Sequence, residues 1–368
     1  MFLASCYGLV MVSTEVSARS TFRWKFALRY GLFLCVLAEL AARAFLTLTA
    51  GASLLHPDQV AYSYYPELKK LAATPPEQTS RAPFDVLILG GSVIDQRWSS
   101  IDRQLQQRLS SALNHPVRTH NAAARSHTTR DSLFKYRFLK HAGYDLVVVY
   151  HAINDARANN CPDSVFRADY SHYAFYRQLN VLERHPERAW VALPYVLDRV
   201  ISELMVPVLG TELLPEGDPP PEWLTYGSDV KTVSSFASNM REIVALGKQK
   251  KEAVVLMTFA HYLAPGYTEA EFASQKLDYD RHQSPVSLWG TPESVEAAIL
   301  EHNRQLKSIV AEDASVLFVD QALTLPRGGR YFHDICHLSD AGSEAFVTQF
   351  VTDVLPALSQ RVVLDKGR

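Results

Sequence analysis

The sequence predicts an α/β fold: a three-layer α/β/α sandwich on a five-stranded parallel sheet, preceded by an apolar helix. Three observations carry that expectation. Short, near-continuously apolar runs of strand length alternate with segments of helical period between residues 84 and 360. Five such β–α units in succession require a parallel sheet, and right-handed crossovers place the helices on its faces. No internal repeat or low-complexity tract competes with this pattern.

At 368 residues the chain holds one large α/β domain plus extras, or two modest domains. It is 47% hydrophobic and 21% charged, enough for a substantial core. A net charge of −2, with no basic run outside the amino terminus, gives no sign of a nucleic-acid partner. Cys6, Cys35, Cys161 and Cys336 show no CxxC spacing, which argues against structural zinc or a thioredoxin-like motif. Neither GxGxxG nor GxxxxGK[ST] occurs, so no nucleotide cofactor is expected.

Residues 1–20 are small and polar and read as a disordered cytoplasmic tail. Segment 21–55 reads as a signal anchor. Arg19, Arg23, Lys25 and Arg29 precede its apolar stretch from Tyr30 to Leu55, and only Arg43 lies within it. That asymmetry predicts an amino terminus in the cytoplasm and a domain on the outer side, with the lipid bilayer as a partner. Glu39 and Arg43 stand four apart, where a helix pairs them, and are placed near the outer interface. Two other readings stay open: a cleaved signal peptide, with Ala42-Arg43-Ala44 or Ala50-Gly51-Ala52 as the site, and an amphipathic surface helix. Export to an oxidising compartment makes a Cys161–Cys336 disulfide conceivable, although two free thiols are the favoured state.

Segment 56–83 carries Tyr62, Tyr64 and Tyr65 and ends in Thr74-Pro75-Pro76-Glu77, so it reads as a linker. The first strand, Phe84 to Leu89, ends in Gly90-Gly91-Ser92, and a helix follows from about Ser99 to Leu113. A second strand, Pro116 to Asn121, opens into the small-residue loop Ala122 to Thr128, with a capped helix over Asp131 to His141. Tyr144 to Tyr150 is the strongest strand signal, and Ala152-Ile153-Asn154-Asp155 comes just after it. Residues 156–230 read as an insertion, with a helix near Val196 to Met205 and the run Pro219-Pro220-Pro221. The alternation resumes with helix Ser234–Lys250, strand Ala253–Phe259, helix Pro292–Ala311 and strand Ser315–Val319. A last helix is expected from Asp340 to Leu355, capped by Ser339 and ended by Pro356.

Polar residues therefore collect just after strands and in the last loop: Ser92, Asn121–Thr128, Asn154, and Asp334 with His337. Open α/β sheets bind ligands at that edge. Acyl transfer needs a nucleophile, a base, an acid that orients the base, and donors for the oxyanion. Ser92 supplies the first, His337 the second and Asp334 the third. The Asn154 amide and the backbone N–H groups of Ser92 and Ala123 are the expected oxyanion donors.

Gly90-Gly91-Ser92, Asn121-Ala122-Ala123-Ala124, Ala152-Ile153-Asn154-Asp155 and Asp334-Ile335-Cys336-His337 resemble the four blocks of the SGNH (GDSL-type) hydrolases, in that family's order. The run His337 to Gly342 also resembles the stretch after the family's histidine. The resemblance spans residues 84–358 in spaced patches and implies a flavodoxin-like sheet and the roles given above. Gly91 stands where the family often has Asp, and Ala123, Ser126 and Ala152 stand where it usually has Gly. Taken with the amino-terminal export signal, the resemblance implies a membrane-anchored serine esterase acting on an acyl ester, such as acetyl on a cell-surface glycan. An O-acyltransferase using the same triad and a non-catalytic glycan-binding module are the alternatives. One rival motif is internal: His333-Asp334-Ile335-Cys336-His337 imitates HExxH, but Gly328-Gly329 upstream and Ser339 downstream make the segment a loop, so no metal is expected. No protein partner is deducible.

Overall fold

The computed structural model describes residues 6–51, 53–76, 82–139, 143–185, 190–209 and 220–366. They group into two units, one of residues up to Tyr64 with His185–Ile201, the other of Tyr65–Arg184 with the residues from Ser202 onward.

The smaller unit contains α1 (Cys6–Ala50) and α2 (Gln59–Tyr64), which pack on each other. The first helix begins at Cys6, so most of the expected tail is helical; no proline interrupts it. Within it, Arg23–Ala50 is long and apolar enough to cross a membrane. Arg43 donates to Glu39 at 2.7 Å, the i,i+4 pair that the spacing predicts.

The larger unit is built on five strands: β1 (Phe84–Gly90), β2 (Val117–Asn121), β3 (Leu146–Tyr150), β4 (Ala253–Met257) and β5 (Leu317–Val319). They run parallel in the order β2-β1-β3-β4-β5. Every residue of β1, β3 and β4 is buried, which is why those runs read as continuously apolar. The edge strand β2 is only partly buried, at Val117 and His120. One buried charge interrupts the pattern: Asp85 in β1, held by Arg118 at 2.7 Å and His120 at 2.6 Å on β2. A pair of this kind persists because its hydrogen bonds are satisfied.

Eight further helices matter here: α3 (Pro66–Ala73), α4 (Ile101–Leu113), α5 (Thr129–Phe138), α6 (Ala174–Arg184), α7 (Leu193–Leu209), α8 (Val233–Lys250), α9 (Pro292–Glu312) and α10 (Asp340–Lys366). The chain steps outward from β1 to β2 through α4, then back across the sheet through α5, α8 and α9. Right-handed crossovers therefore put α4 on one face and α5, α8 and α9 on the other. The contacts agree, with α10 packing on α4, and α8 on both α5 and α9. This is the three-layer sandwich the alternation predicts.

Three expectations change. Segment 56–83 is not a plain linker, because α2 and α3 lie in it and bury Val60, Tyr62, Leu68 and Leu71. The insertion is largely helical, through α6, α7 and the turn Pro221–Ser228; Pro219 lies outside the described residues, as does His141 at the expected end of α5. Pro356 does not end the last helix, which runs on to Lys366. Phe346, Phe350, Val354 and Leu358 form one stripe in which no side chain is more than 1% exposed. Burying Leu358 yields about 1.5–3 kcal/mol, which offsets most of the ~3 kcal/mol that an internal proline costs. Cys161 and Cys336 are separate buried thiols, the state the sequence reading favours over a disulfide.

Candidate active site

The parallel register brings every strand's carboxyl end to one edge, where Gly90 pairs with Tyr150 and Ile88 with Asn121. Successive crossovers leave in opposite directions on either side of β1 and β3, which opens a crevice between their ends. Ser92 follows β1 there and Asn154 follows β3.

Ser92 opens a short helical turn, Ser92–Ile94. Its two preceding glycines are needed for room rather than for unusual dihedrals, since Gly91 has φ −92°. A Cβ on Gly90 would lie 2.4 Å from the Ile94 side chain, and one on Gly91 would lie 2.6 Å from the Asn154 amide nitrogen. Glycine at 91 leaves that space to the Asn154 amide.

Ser92 Oγ lies 2.8 Å from His337 Nε2 across 245 residues of sequence. On the other side of the ring, His337 Nδ1 is 2.7 Å from Asp334 Oδ2. The remaining oxygen, Asp334 Oδ1, accepts from the backbone N–H groups of Cys336 at 2.9 Å and His337 at 2.8 Å. Asp334 is fully buried, and these donors hold its carboxylate in one orientation. The loop itself is pinned at both ends. The His333 N–H donates to the His337 carbonyl at 2.7 Å, and Ser339 Oγ caps α10 by accepting from Gly342 N at 3.1 Å. Gly342 is required there, because a Cβ would sit 2.1 Å from the Tyr331 carbonyl oxygen.

Asn154 is oriented by two partners. Its Nδ2 donates to the His127 carbonyl at 2.9 Å and its Oδ1 accepts from Trp289 Nε1 at 3.0 Å. Indole is only a donor, which fixes the amide's orientation and leaves the second Nδ2 hydrogen uncommitted beside Gly91. Replacing Asn154 by Ala should lower the turnover rate about 10²–10³-fold, the usual loss for one oxyanion donor; steady-state kinetics with an activated ester measures it.

Ala123 reaches the same edge, yet its N–H already donates to Asn121 Oδ1 at 2.9 Å. Its neighbours are committed too, Ala122 to the Ile88 carbonyl and Ala124 to the Gly90 carbonyl. Ala123 is therefore the one expected donor whose N–H is taken inside the chain. Ser126, also at a family glycine position, has φ +64°, a left-handed conformation that a side chain rarely adopts.

A polar network not apparent from the sequence supports this loop. Lys135 on α5 is fully buried and lies 2.6 Å from His127 Nδ1 and 3.0 Å from Glu67. Burial and the nearby Lys135 charge press the His127 imidazole down to about 4. His151 meets Ser132 Oγ at 2.7 Å and is driven by burial to about 3, so both rings are neutral at ordinary pH. Asp155 accepts from Thr129 Oγ1 at 2.6 Å and Tyr170 OH at 2.8 Å. Burial outweighs these donors and raises its carboxyl to about 7.

A carboxyl raised on folding stabilises fully below its unfolded value and loses that contribution as pH rises through the folded value. Stability should thus decline from about pH 4 to pH 7 through Asp155. Asp155→Asn should flatten that segment of a melting-temperature profile against pH.

His333, the first imidazole of the HExxH-like run, turns away to Asp280 at 2.9 Å. The segment is a loop, as its flanking residues predict. Asp334, Cys336 and His337 do present donor atoms within 4.8 Å of one another. They fit a metal poorly. Asp334 Oδ1 is spent on two N–H groups, and burial with the Asp334 charge pushes the Cys336 thiol well up, away from the thiolate a metal needs. Exhaustive chelation should accordingly leave esterase activity unchanged.

Two indoles flank the imidazole. Trp98 lies 6.1 Å from the His337 ring at 30°, and Trp289 lies 6.2 Å from it at 45°. Beyond Trp98 an open cleft of about 730 Å³ is lined by Arg97, Gln275, Tyr279, Asp280, Arg281 and Gln283 among others. Among the described residues, no aliphatic side chain lines it. Trp98 and Trp289 carry no sequence signal, since neither lies in a recognisable block.

No known family's sequence profile matches the chain, and no curated protein matches it in sequence. Some solved structures are similar to it at a low level. A GDSL-like lipase from Bacteroides thetaiotaomicron matches at 11% identity and TM-score 0.42, over 79% of this chain and 98% of that one. An acetylxylan esterase from Geobacillus stearothermophilus matches at 14% identity and TM-score 0.39, over 73% and 93%. Likeness at that level assigns no chemistry, which the side chains of this chain must carry.

Proposed function

We propose that the protein is a serine ester hydrolase working through an acyl-enzyme on Ser92. The observation that carries this reading is the unbroken line Ser92 Oγ, His337 Nε2, His337 Nδ1, Asp334 Oδ2, with links of 2.8 and 2.7 Å. Ser92 Oγ attacks the ester carbonyl as its proton passes to His337 Nε2. The Ser92 N–H, which opens a helical turn, and the free Asn154 Nδ2 hydrogen face the developing oxyanion. Collapse of the tetrahedral intermediate expels the alcohol, which takes the proton back from His337. Water then attacks the acyl-enzyme, again giving its proton to His337, and the carboxylic acid leaves as Ser92 is restored.

The polar cleft beside Trp98 favours a hydrophilic alcohol portion over a long acyl chain. A short acyl group such as acetyl on a carbohydrate fits that lining, the indole offering an apolar face and the amides and guanidinia offering hydrogen bonds. Placement outside the cytoplasm follows from the basic residues before the Arg23–Ala50 segment, read as a membrane anchor with its amino terminus inside. Incubation with a fluorophosphonate, followed by peptide mass spectrometry, tests the site. The adduct is expected on the peptide containing Ser92, and an unmodified Ser92 in active protein would end this reading.

A further inference from the structure

We infer that α7 is a second membrane contact, lying along the outer interface of the bilayer that α1 crosses. The inference rests on the anchor reading above and extends it to the insertion. Side chains from Arg23 to Leu37 are exposed, and burial along α1 begins at Ala42. Counted back from that onset at 1.5 Å per residue, residues 23–41 span roughly 28 Å, close to the ~30 Å of a bilayer's hydrocarbon, with Arg23, Lys25 and Arg29 in the first two turns, where long basic side chains snorkel to the inner boundary. Glu39 and Arg43 therefore fall at the far boundary of the span.

That pair holds the start of α7. Glu39 Oε1 accepts from Ala192 N and Oε2 from Leu193 N, each at 2.8 Å, and Arg43 donates to the Trp190 carbonyl. The carboxylate satisfies N–H groups that a helix beginning leaves open, and its charge complements the helix dipole. Segment 190–201 belongs to the same compact unit as α1, so this junction fixes where α7 begins along the anchor.

From that point α7 shows an apolar stripe that is exposed among the described residues. Leu197, Val200 and Ile201 follow i, i+3, i+4 spacing and are 44–54% exposed. Trp190, just before the helix, is 64% exposed, and indole favours the headgroup boundary. Asp198 and Arg199 occupy other faces. An exposed apolar stripe with polar flanks, tied to a membrane span at its boundary, is the pattern of a helix seated in the interfacial plane. The occupant of the stripe is lipid.

The test uses the full chain in liposomes. An environment-sensitive fluorophore is placed on Ile201→Cys, Arg199→Cys or Leu32→Cys in a background lacking Cys6 and Cys35; Cys161 and Cys336 are buried and stay unlabelled. Lipids brominated near the headgroup should quench the Ile201 label several-fold and spare the Arg199 label, while deeply brominated lipids quench the Leu32 label. Quenching at Leu32 with no excess at Ile201 over Arg199 would overturn the inference and leave the anchor standing. Strong quenching of Ile201 by the deep bromines would also overturn it, since α7 would then enter the hydrocarbon rather than lie along it. No quenching at Leu32 would remove the anchor reading and this one together.

Discussion

Ser92→Ala should abolish fluorophosphonate labelling and reduce ester turnover by about 10⁵–10⁶-fold, the scale on which loss of a triad nucleophile acts. The fold should survive. Ser92 is held by one side-chain hydrogen bond to His337, and its removal leaves that ring still bonded to Asp334. An unchanged melting temperature alongside lost turnover would assign the effect to chemistry. If the variant kept the activity of the parent, another nucleophile would be at work. A small residual rate is expected from the oxyanion donors and from binding, which do not need the hydroxyl.

Asp334→Asn should lower turnover by about 10⁴-fold while leaving the substrate's KM little changed. The amide is nearly isosteric, but it presents an N–H where the carboxylate presents a lone pair. With Asp334, the proton stays on His337 Nδ1, so Nε2 is free to accept from Ser92. With asparagine, the ring favours the opposite tautomer and Nε2 no longer serves as a base. Asp334 Oδ1 also accepts from the N–H groups of Cys336 and His337, so asparagine must keep its oxygen on that side. That constraint turns the amide nitrogen toward the imidazole, the orientation that disables the base. Comparing kcat and KM separately checks the expected loss, since a loosened loop would raise KM as well.

Much of this arrangement is legible in the sequence for a simple reason. In a parallel sheet each buried strand is a short apolar run, and each carboxyl end abuts the same edge. Position alone places Ser92 and Asn154 on that edge, because each lies two to four residues beyond a run of near-continuous Val, Leu and Ile. The i,i+3 spacing of Asp334 and His337 marks that pair, together with the Ser339 cap behind it.

The features that stay hidden in the sequence have equally physical causes. Whether Ala123 offers its N–H depends on where the Asn121 side chain folds, a local choice that spacing does not encode. Trp98 and Trp289 meet His337 only through loops whose paths are set by packing. Pro356 falls under a rule that usually ends helices, and a buried stripe reaching Leu358 overrides it.

The alternation of apolar runs and helical segments determined by itself that the sheet is parallel and that its polar residues gather along one edge, because pleat and crossover handedness leave few other ways to bury those runs. Only the tertiary structure decided which of those residues touch. A hydroxyl and an imidazole 245 residues apart are brought to 2.8 Å, and a carboxylate within an apolar helix is matched to the start of a distant one. Contacts of that kind depend on side-chain packing between separate elements, which no local pattern specifies.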